Sequence, residues 1–555
     1  MKKAIQDIFQ ILNPREKQHL WQLTVADVFI SLLDIAFLIA LLFVVNFYTQ
    51  PRRVLPPLLS RVNLFNEHPL MLILVFFLLF TLKNIVGYYV SKWQYQFVYG
   101  VASRISRDGL LQYLSGPYTD YVHVDSSVIN RRISQQPVEF CHYVLNGVQQ
   151  VFSQAVLVII TCLAIIWFNP LLFPLLIIIL APPVYLISWL MKRKLNATRL
   201  QGKNAGEKSI QHIQEALSGY VESNIYQKNA FFTNRYHRYQ SELNRHLSER
   251  LVIQNMPSRL IEVFAVFGLL ILIWVNSLSS HSYSIRLVTI GALMVAAYKI
   301  IPGIVRITNT IGQIKNYGYT TEGLVRVGQF TLNQTLQNEP LEFMSLENIY
   351  FSFQGKKVLQ GFSMEIKKGD LVGILGLSGR GKTTVINLLL GFLTPDSGSL
   401  YFNGTIADTE NRKKYWGRVA YIKQQHFFLH ASILENITLQ EKDFDRDRIA
   451  RILVQTGIDQ VIKSFPEGLN TLITENGKNF SGGQRQRFIF ARALYKDFDL
   501  LILDEPFNEL DEKSETDMLR QLKTIAAGGK MVILITHNTE ALSFCNRKII
   551  MDAEG

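Results

Sequence analysis

The chain has 555 residues, of which 48% are hydrophobic and 18% charged, and its mean hydropathy is +0.14. This composition is too apolar for an ordinary soluble protein and too charged for a chain that lies wholly within a membrane. The net charge of +13 allows nucleic-acid binding, but basic residues also crowd the cytoplasmic ends of membrane spans. We favour the second interpretation and expect no nucleic-acid partner. The scattered cysteines, Cys141, Cys162 and Cys545, have no metal-ligand spacing and are interpreted as reduced residues.

Long apolar runs fill the chain as far as about residue 315. We expect a cytoplasmic N-terminal segment over 1–20, a transmembrane domain over 20–315, a linker over 316–338 and a second domain over 339–555. A hydrocarbon core about 30 Å thick needs roughly 20 apolar residues per helix. This length predicts six spans, at about 20–48, 69–89, 145–168, 171–191, 260–275 and 287–307.

Two intervals between the spans, 91–143 and 192–259, are polar but compatible with helices. The second is rich in Lys and Arg, which places both in the cytoplasm by the positive-inside rule. An even number of spans then puts the N-terminus and the C-terminal domain on that same side. The outer loop 50–68 is either a short amphipathic helix on the membrane surface or a solvated loop.

Ionisable residues within predicted spans are costly and therefore informative. Lys83 lies in the second span, and Lys299 and Arg306 lie two helical turns apart in the sixth, on one face of the helix. These cations are candidate contacts for an anionic substrate. The alternative is that they pair with Asp34 and Glu262 or extend to the membrane surface.

A glycine-rich segment follows the predicted buried strand 371–375 and precedes a predicted helix. A glycine-rich loop between a strand and a helix is typical of phosphate binding. The backbone N–H groups of such a loop surround the phosphates at the helix N-terminus. Lys382 is expected to reach the β- and γ-phosphates, and Thr383 to bind Mg²⁺. The expected nucleotide contacts are Gly376, Ser378, Gly379, Arg380, Gly381, Lys382, Thr383 and Thr384.

Two further predicted strands end in residues that can act on a phosphate. Strand 500–503 leads into Asp504, a Mg²⁺ ligand, and Glu505, a general base for the attacking water. Strand 531–536 leads into His537, which is well placed to sense the γ-phosphate. The sequence therefore predicts an ATP-hydrolysing site at one edge of a parallel sheet.

Together with these motifs, Phe480-Ser481-Gly482-Gly483-Gln484 resembles the signature of the ATP-binding cassette (ABC) transporters, with phenylalanine where leucine is usual. The resemblance makes Gly376–Thr383 the Walker A motif and Asp504 the end of Walker B. It implies that Gln424 is the Q-loop glutamine that contacts Mg²⁺, and that Phe353 stacks on adenine. Asn508-Glu509-Leu510-Asp511 occupies the D-loop, where Ser-Ala-Leu-Asp is common. The nucleotide contacts that it adds are Ser481, Gly482, Gly483, Gln484 and Asp511.

The resemblance is to type IV exporter half-transporters. It implies an all-α transmembrane domain of six helices followed by an α/β P-loop ATPase domain, with ATP and Mg²⁺ bound between two copies of the chain. Coupling helices are expected near 125–133 and 219–226, docking near Gln424 and Glu475. The implied location is the inner (plasma) membrane, with multiple spans, contacts to membrane lipids and a cytoplasmic nucleotide-binding domain.

The segment 298–307, in which Lys299 and Arg306 flank Pro302, resembles the sixth helix of lipid-linked oligosaccharide flippases. This resemblance implies transport of an amphipathic, anionic lipid-linked substrate. Export of a peptide or a drug-like molecule remains open, and a regulatory or non-transporting ATPase is a more remote alternative.

Overall fold

The computed structural model describes residues 2–49, 70–116, 118, 122, 124–168, 182, 185, 202, 204–278, 287–328, 339–377, 379–474 and 477–551. The chain forms two compact units. One comprises Met1–Gly116 and His123–Thr331, and the other Pro117–Val122 and Leu332–Gly555. The unit boundary at Thr331 falls inside the predicted linker.

Long apolar helices dominate the first unit, as the sequence predicts. Predicted spans 20–48, 260–275 and 287–307 lie within helices, and 69–89 and 145–168 lie in α3 and α6 from residues 70 and 146 onward. The fourth, 171–191, lies outside the described residues apart from Pro182 and Tyr185. The outer loop 50–68 also lies outside the described residues. The helices are α1 (Lys2–Ile11), α2 (Pro14–Thr49), α3 (Leu70–Leu114), α4 (Ser126–Asn130), α5 (Gln136–Glu139), α6 (Asn146–Phe168), α7 (Tyr220–Ile225), α8 (Asn229–Leu278), α9 (Leu287–Tyr317) and α10 (Thr320–Gly328). Within the described part of the chain, three stretches are long and apolar enough to cross a membrane: Pro14–Leu41, Leu70–Leu114 and Ser126–Leu163.

Helices α3 and α8 are much longer than the apolar spans that they contain. Hydropathy identifies only the part of a helix that fits a bilayer, whereas the polar residues that continue α3 after its span, and precede the span in α8, are also compatible with a helix. Between α4 and α6 the chain stays helical but widens twice into π-helical turns, at Arg131–Gln135 and Phe140–Leu145.

The N-terminal helix α1 is fixed to the rest of the first unit. Ile8 and Ile11 are buried, and Thr321 of α10 donates a hydrogen bond to Asp7 at 2.8 Å. Arg104 of α3 binds the Glu16 carboxylate through two nitrogens, at 2.6 and 2.8 Å, and the Ile11 carbonyl at 3.1 Å. Such a bidentate pair fixes both angle and distance, so it holds the turn between α1 and α2.

The second unit is an α/β domain built on two sheets and a short β-ribbon. One sheet has the order β2-β1-β4-β5 and the other β11-β3-β10-β9-β6, while β7 pairs with β8. The strands are β1 (Phe343–Phe353), β2 (Lys356–Lys367), β3 (Leu371–Gly376), β4 (Ser397–Phe402), β5 (Thr405–Ile406), β6 (Val419–Ile422), β7 (Ala431–Ser432), β8 (Leu472–Ile473), β9 (Leu500–Asp504), β10 (Met531–Thr536) and β11 (Arg547–Met551). The helices are α11 (Lys382–Leu389), α12 (Thr409–Lys413), α13 (Ile433–Thr438), α14 (Arg446–Thr456), α15 (Asp459–Lys463), α16 (Gly482–Tyr495) and α17 (Glu512–Ala527).

Strands of the second sheet pair in parallel, and β9 and β10 are buried along their whole length. A parallel strand covered on both faces needs apolar residues at consecutive positions, which is what Leu500–Leu503 and Met531–Ile535 supply. Separate apolar clusters cover the two faces of this sheet. The predicted α/β class of this domain is therefore confirmed.

Candidate active site

The carboxyl ends of three neighbouring strands bring the predicted phosphate-handling residues to one edge of the sheet. In the parallel register, Asp504 of β9 lies beside Ile535 of β10, and Thr536 lies beside Leu375 of β3. The segments that follow these strands are the phosphate loop (Gly376–Thr383), Glu505 and His537. Ligands of open α/β sheets bind at such an edge.

The phosphate loop has a backbone that requires glycine. Gly381 has φ of +89°, and a Cβ there would lie 3.0 Å from Val358 and 3.1 Å from Leu359. Helix α11 begins at the next residue, so its free N–H groups face the loop. Arg380 is exposed and Thr384 half-buried. Ser378 lies outside the described residues.

Lys382 places a nearly buried cation in this loop. Its side chain is 7% exposed, and Nζ lies 2.6 Å from the Gly376 carbonyl oxygen and 3.1 Å from Glu505 Oε1. A buried ammonium is costly unless it is paired with an anion. The site therefore has a positive charge held where the phosphates of a nucleotide would lie.

Oxygen ligands suited to Mg²⁺ meet beside this lysine. The Thr383 hydroxyl lies 3.4 Å from Asp504 Oδ2. Burial raises the pKa of Asp504, and the adjacent charge of Glu505 raises it further. A divalent cation would offset both carboxylates, and hydroxyl and carboxylate oxygens are the ligands that Mg²⁺ prefers. Thr383 and Asp504 thus fit the predicted metal site.

Glu505 adopts a left-handed backbone conformation, with φ of +51°. Its N–H donates to the Ile535 carbonyl at 3.0 Å, which holds the turn at the strand end. Gln424 Nε2 donates to Glu505 Oε2 at 2.9 Å. Burial alone would raise the pKa of Glu505, but the hydrogen bond and the charge of Lys382 bring that pKa below its usual range. Gln424 and Lys382 therefore hold the Glu505 carboxylate in a fixed position at the strand end, and its predicted role as general base stays a prediction.

The remaining predicted residues flank this centre. His537 is exposed directly after β10, and its charge contributes to the lowered pKa of Glu505. Phe353 lies at the end of β1 and is 45% exposed, which leaves its ring face free to stack. Gln424 contacts Glu505 in this structure, so its assignment to Mg²⁺ stays a prediction.

The signature turn (Phe480–Gln484) forms the start of α16. Ser481 and Gln484 cap this helix reciprocally, with Gln484 N–H donating to Ser481 Oγ at 3.3 Å and Ser481 N–H donating to Gln484 Oε1 at 3.0 Å. Asp511 likewise caps α17, and its hydrogen bonds from Ser514 lower its pKa. A Cβ on Gly482 would lie 2.7 Å from Glu509, so the signature turn packs on the D-loop, whereas the phosphate loop contacts Asp504 and Glu505.

Three residues near the site were not among the predicted nucleotide, metal or catalytic contacts, although Asn508 was assigned to the D-loop. Asn508 Nδ2 lies 3.4 Å from Glu505 Oε2. Burial raises the pKa of the Tyr421 phenol, and the charge of Asp504 raises it further. Tyr118 stacks on Phe392 with ring centroids 4.9 Å apart. Tyr421 lies on β6, which pairs with the Walker B strand β9. Its closeness to Asp504 follows from this strand order, which the sequence does not give.

The candidate substrate contacts lie in the first unit. Lys83 is ion-paired with Asp34 and lies 5.0 Å from the centre of the Phe80 ring, as the pairing alternative describes. Lys299 and Arg306 both belong to α9, which continues through Pro302, and Arg306 is exposed. Their contact with a substrate stays a prediction.

Comparison with known proteins finds similarity over both domains of the chain. Residues 20–298 match the family "ABC transporter transmembrane region", and residues 359–508 match the family "ABC transporter". An ATP-dependent lipid A-core flippase of Polaromonas sp. is 25% identical over 90% of this chain and 86% of its own. The alpha-hemolysin translocation ATP-binding protein HlyB of Escherichia coli O157:H7 is 29% identical over 51% of this chain and 41% of its own.

A probable ABC transporter ATP-binding/permease protein of Haemophilus influenzae is 34% identical over 37% of each chain. The solved structure of a bacterial Atm1-family ABC exporter with ATP bound superposes with a TM-score of 0.75, covering 96% of this chain and 94% of that one at 17% identity. That structure shares the fold, with a helical transmembrane domain followed by a nucleotide-binding domain. With both of its domains matched, this chain belongs to the ABC transporters, as an exporter in which ATP hydrolysis is coupled to transport.

Proposed function

We propose that this exporter works as a homodimer in the inner (plasma) membrane and moves an amphipathic, anionic lipid-linked substrate, such as a lipid-linked oligosaccharide. The flippase relative aligns with nearly the whole chain, which supports a lipid as cargo. The nucleotide-binding domain faces the cytoplasm in this proposal, because the polar interval 192–259 is rich in Lys and Arg and an even number of spans puts the C-terminal domain on the same side.

The proposal that the substrate is anionic depends mainly on Arg306. This side chain is exposed on α9, and Lys299 lies two turns away on the same helical face. A charged residue in a membrane helix is retained at a cost, so it indicates a partner of opposite charge. Lys83 is less suited to this role because Asp34 already neutralises it.

Two copies of the chain are needed for each hydrolytic site in this proposal. The described contacts join the phosphate loop to Glu505 and the signature turn to the D-loop of one chain. ATP would bind on the phosphate loop of one copy, and the signature turn of the other copy would complete its binding site. The free N–H groups at the start of α16 supply donors and a positive helix end for the γ-phosphate.

Each residue of the site has a separate role in hydrolysis in this proposal. Lys382 and the phosphate-loop N–H groups hold the β- and γ-phosphates, and Glu505 takes a proton from the attacking water. Thr383 and Asp504, with Gln424, would hold Mg²⁺, which would offset the negative charge of the phosphates. Gln424 and Asn508 both contact Oε2 of Glu505 and so orient its carboxylate.

Export of a peptide or drug-like molecule is the second candidate, favoured by the similarity to HlyB. That similarity covers about half of the chain, so we rank it below the lipid. A regulatory or non-transporting ATPase is a weaker candidate because Glu505 and His537 are both present.

The substrate proposal is tested by ATPase stimulation of the full chain in proteoliposomes. We expect a polyprenyl-pyrophosphate lipid to stimulate hydrolysis, and the double variant Lys299→Ala/Arg306→Ala to weaken this stimulation severalfold. Lys315→Ala, which removes an exposed cation farther along α9, is the matched control. Equal stimulation by zwitterionic peptides, with no effect of the double variant, would favour the peptide exporter.

A further inference from the structure

The D-loop (Asn508–Asp511) differs from the common Ser-Ala-Leu-Asp at its first two positions, and both differences make contacts. Asn508 reaches back to Glu505, with Nδ2 3.4 Å from Oε2. Glu509 points the other way and accepts from Arg485 Nη2, with both carboxylate oxygens 3.2 Å from that nitrogen. Adjacent residues of one loop therefore contact the catalytic base and the signature helix α16.

Glu509 places a carboxylate directly against the signature turn. A Cβ built on Gly482 would lie 2.7 Å from Glu509 Oε2 and 3.0 Å from its Cδ. Gly482 and Gly483 are the first residues of α16, whose N–H groups are the donors for an incoming phosphate. An uncompensated carboxylate at this place would repel that phosphate.

Arg485 compensates this charge from within α16, one turn from the glycines. The side chains of Arg485 and Glu509 are 28% and 42% exposed, so the pair is screened only in part by solvent. Together the two side chains carry no net charge, and removal of either one leaves an unbalanced charge close to the signature turn.

We propose that the Glu509–Arg485 pair sets the electrostatic potential at the signature turn and thereby how tightly this turn binds the γ-phosphate of the ATP held by the other copy. Glu509 is a positioning residue in this scheme, since it acts through Arg485 and the turn and does not itself touch the nucleotide. The inference rests on the composite site proposed above.

The two halves of the pair must then have opposite effects on ATP affinity. Glu509→Gln keeps the size of the side chain and leaves the Arg485 cation unbalanced, which attracts phosphate. Arg485→Gln leaves the Glu509 carboxylate unbalanced, which repels it. A pair that only braced the turn mechanically would lose the same contact in both variants, and both would bind ATP less tightly.

The experiment is an ATP titration of hydrolysis by the full chain in proteoliposomes with Mg²⁺ present. We expect KM for ATP to fall about two- to fivefold in Glu509→Gln and to rise by a similar factor in Arg485→Gln, with the double variant close to wild type. Both shifts should shrink in about 0.5 M KCl, where screening is stronger. The matched control is Asp517→Asn, which breaks the exposed Arg520–Asp517 pair of α17 and should leave KM unchanged.

Shifts of KM in the same direction for both single variants, insensitive to salt, would refute the inference. A separate variant tests the composite site on which it rests. A Cβ on Gly483 has only ordinary contacts, the nearest at 3.5 Å, so Gly483→Asp fits and puts a carboxylate in the phosphate position. This variant should retain ATP binding and lose turnover. If it hydrolyses ATP like the wild type, the composite site itself is refuted, independently of Glu509.

Discussion

Glu505 is the residue on which the hydrolytic site converges. Three side chains contact its carboxylate, and its backbone is held at a positive φ that costs a non-glycine residue about 1 kcal/mol or more. Its position after a buried strand could be predicted from sequence, because consecutive apolar residues ending in Asp-Glu indicate a strand end. The contacts of Lys382 and Asn508 with it could not, because they depend on the strand order and on the turn that φ produces.

Replacing the carboxylate of Glu505 with an amide separates catalysis from binding. Glu505→Gln keeps the shape of the side chain but cannot accept the proton of water, so we expect turnover to fall by at least about a hundredfold. ATP binding should persist because Lys382 and the phosphate loop are unchanged. Steady-state hydrolysis and nucleotide binding by the purified chain measure the two effects. Glu512→Gln, at the exposed start of α17, is the control, and near wild-type turnover of Glu505→Gln would contradict the assignment of the base.

At the scale of elements, the sequence predicted helices and buried strands well but missed one segment. Periodicity and apolar runs place the strands β3, β9 and β10 and the long apolar helices of the first unit. Residues 117–122, however, belong to the nucleotide-binding unit although they lie in the transmembrane half of the sequence. This segment precedes the coupling helix predicted near 125–133. A local signal in the sequence is the Gly116-Pro117 pair after α3, whereas a stacking partner distant in sequence, Phe392, cannot be found from periodicity.

The Tyr118–Phe392 stack should transmit substrate binding to hydrolysis. Tyr118 lies between α3 and α4 in sequence, and its ring stacks on Phe392, which also packs beside Trp416. Such a pair contributes about 0.5–1.5 kcal/mol beyond area burial. We expect Tyr118→Ala to abolish most of the ATPase stimulation by polyprenyl-pyrophosphate lipid, and Tyr118→Phe to retain it. Full stimulation of Tyr118→Ala would show that the stack has no part in coupling.

For the whole molecule, composition alone separated the two halves of the chain. The first apolar half and the second α/β half follow from hydropathy, because membrane helices and buried strands need different run lengths. The exact division, at Thr331, depends on α10 packing with α1 through Thr321 and Asp7, a contact between the two ends of the first unit. Pairing over such a sequence distance leaves no local pattern.

A functional assembly should contain two chains. One chain carries one phosphate loop and one signature turn, and in our proposal each completes a site on the other copy. The active species in nanodiscs should therefore have twice the 63.6 kDa chain mass, apart from lipid and scaffold. Light scattering combined with ATPase assays of each fraction measures this. A monomer with full activity would contradict the composite site.

The π-helical turns at Arg131–Gln135 and Phe140–Leu145 change how the following membrane helix α6 must be analysed. A π turn holds about one residue more than an α turn, so the side chains beyond it lag in angular position. The two segments together accumulate a lag of about half a turn. A helical wheel drawn continuously from α4 into α6 would therefore assign lipid-facing positions to the interior and interior positions to lipid. Accessibility scans of α6 should begin a new angular phase at Asn146, and the residues that line a transport pathway follow from that corrected phase.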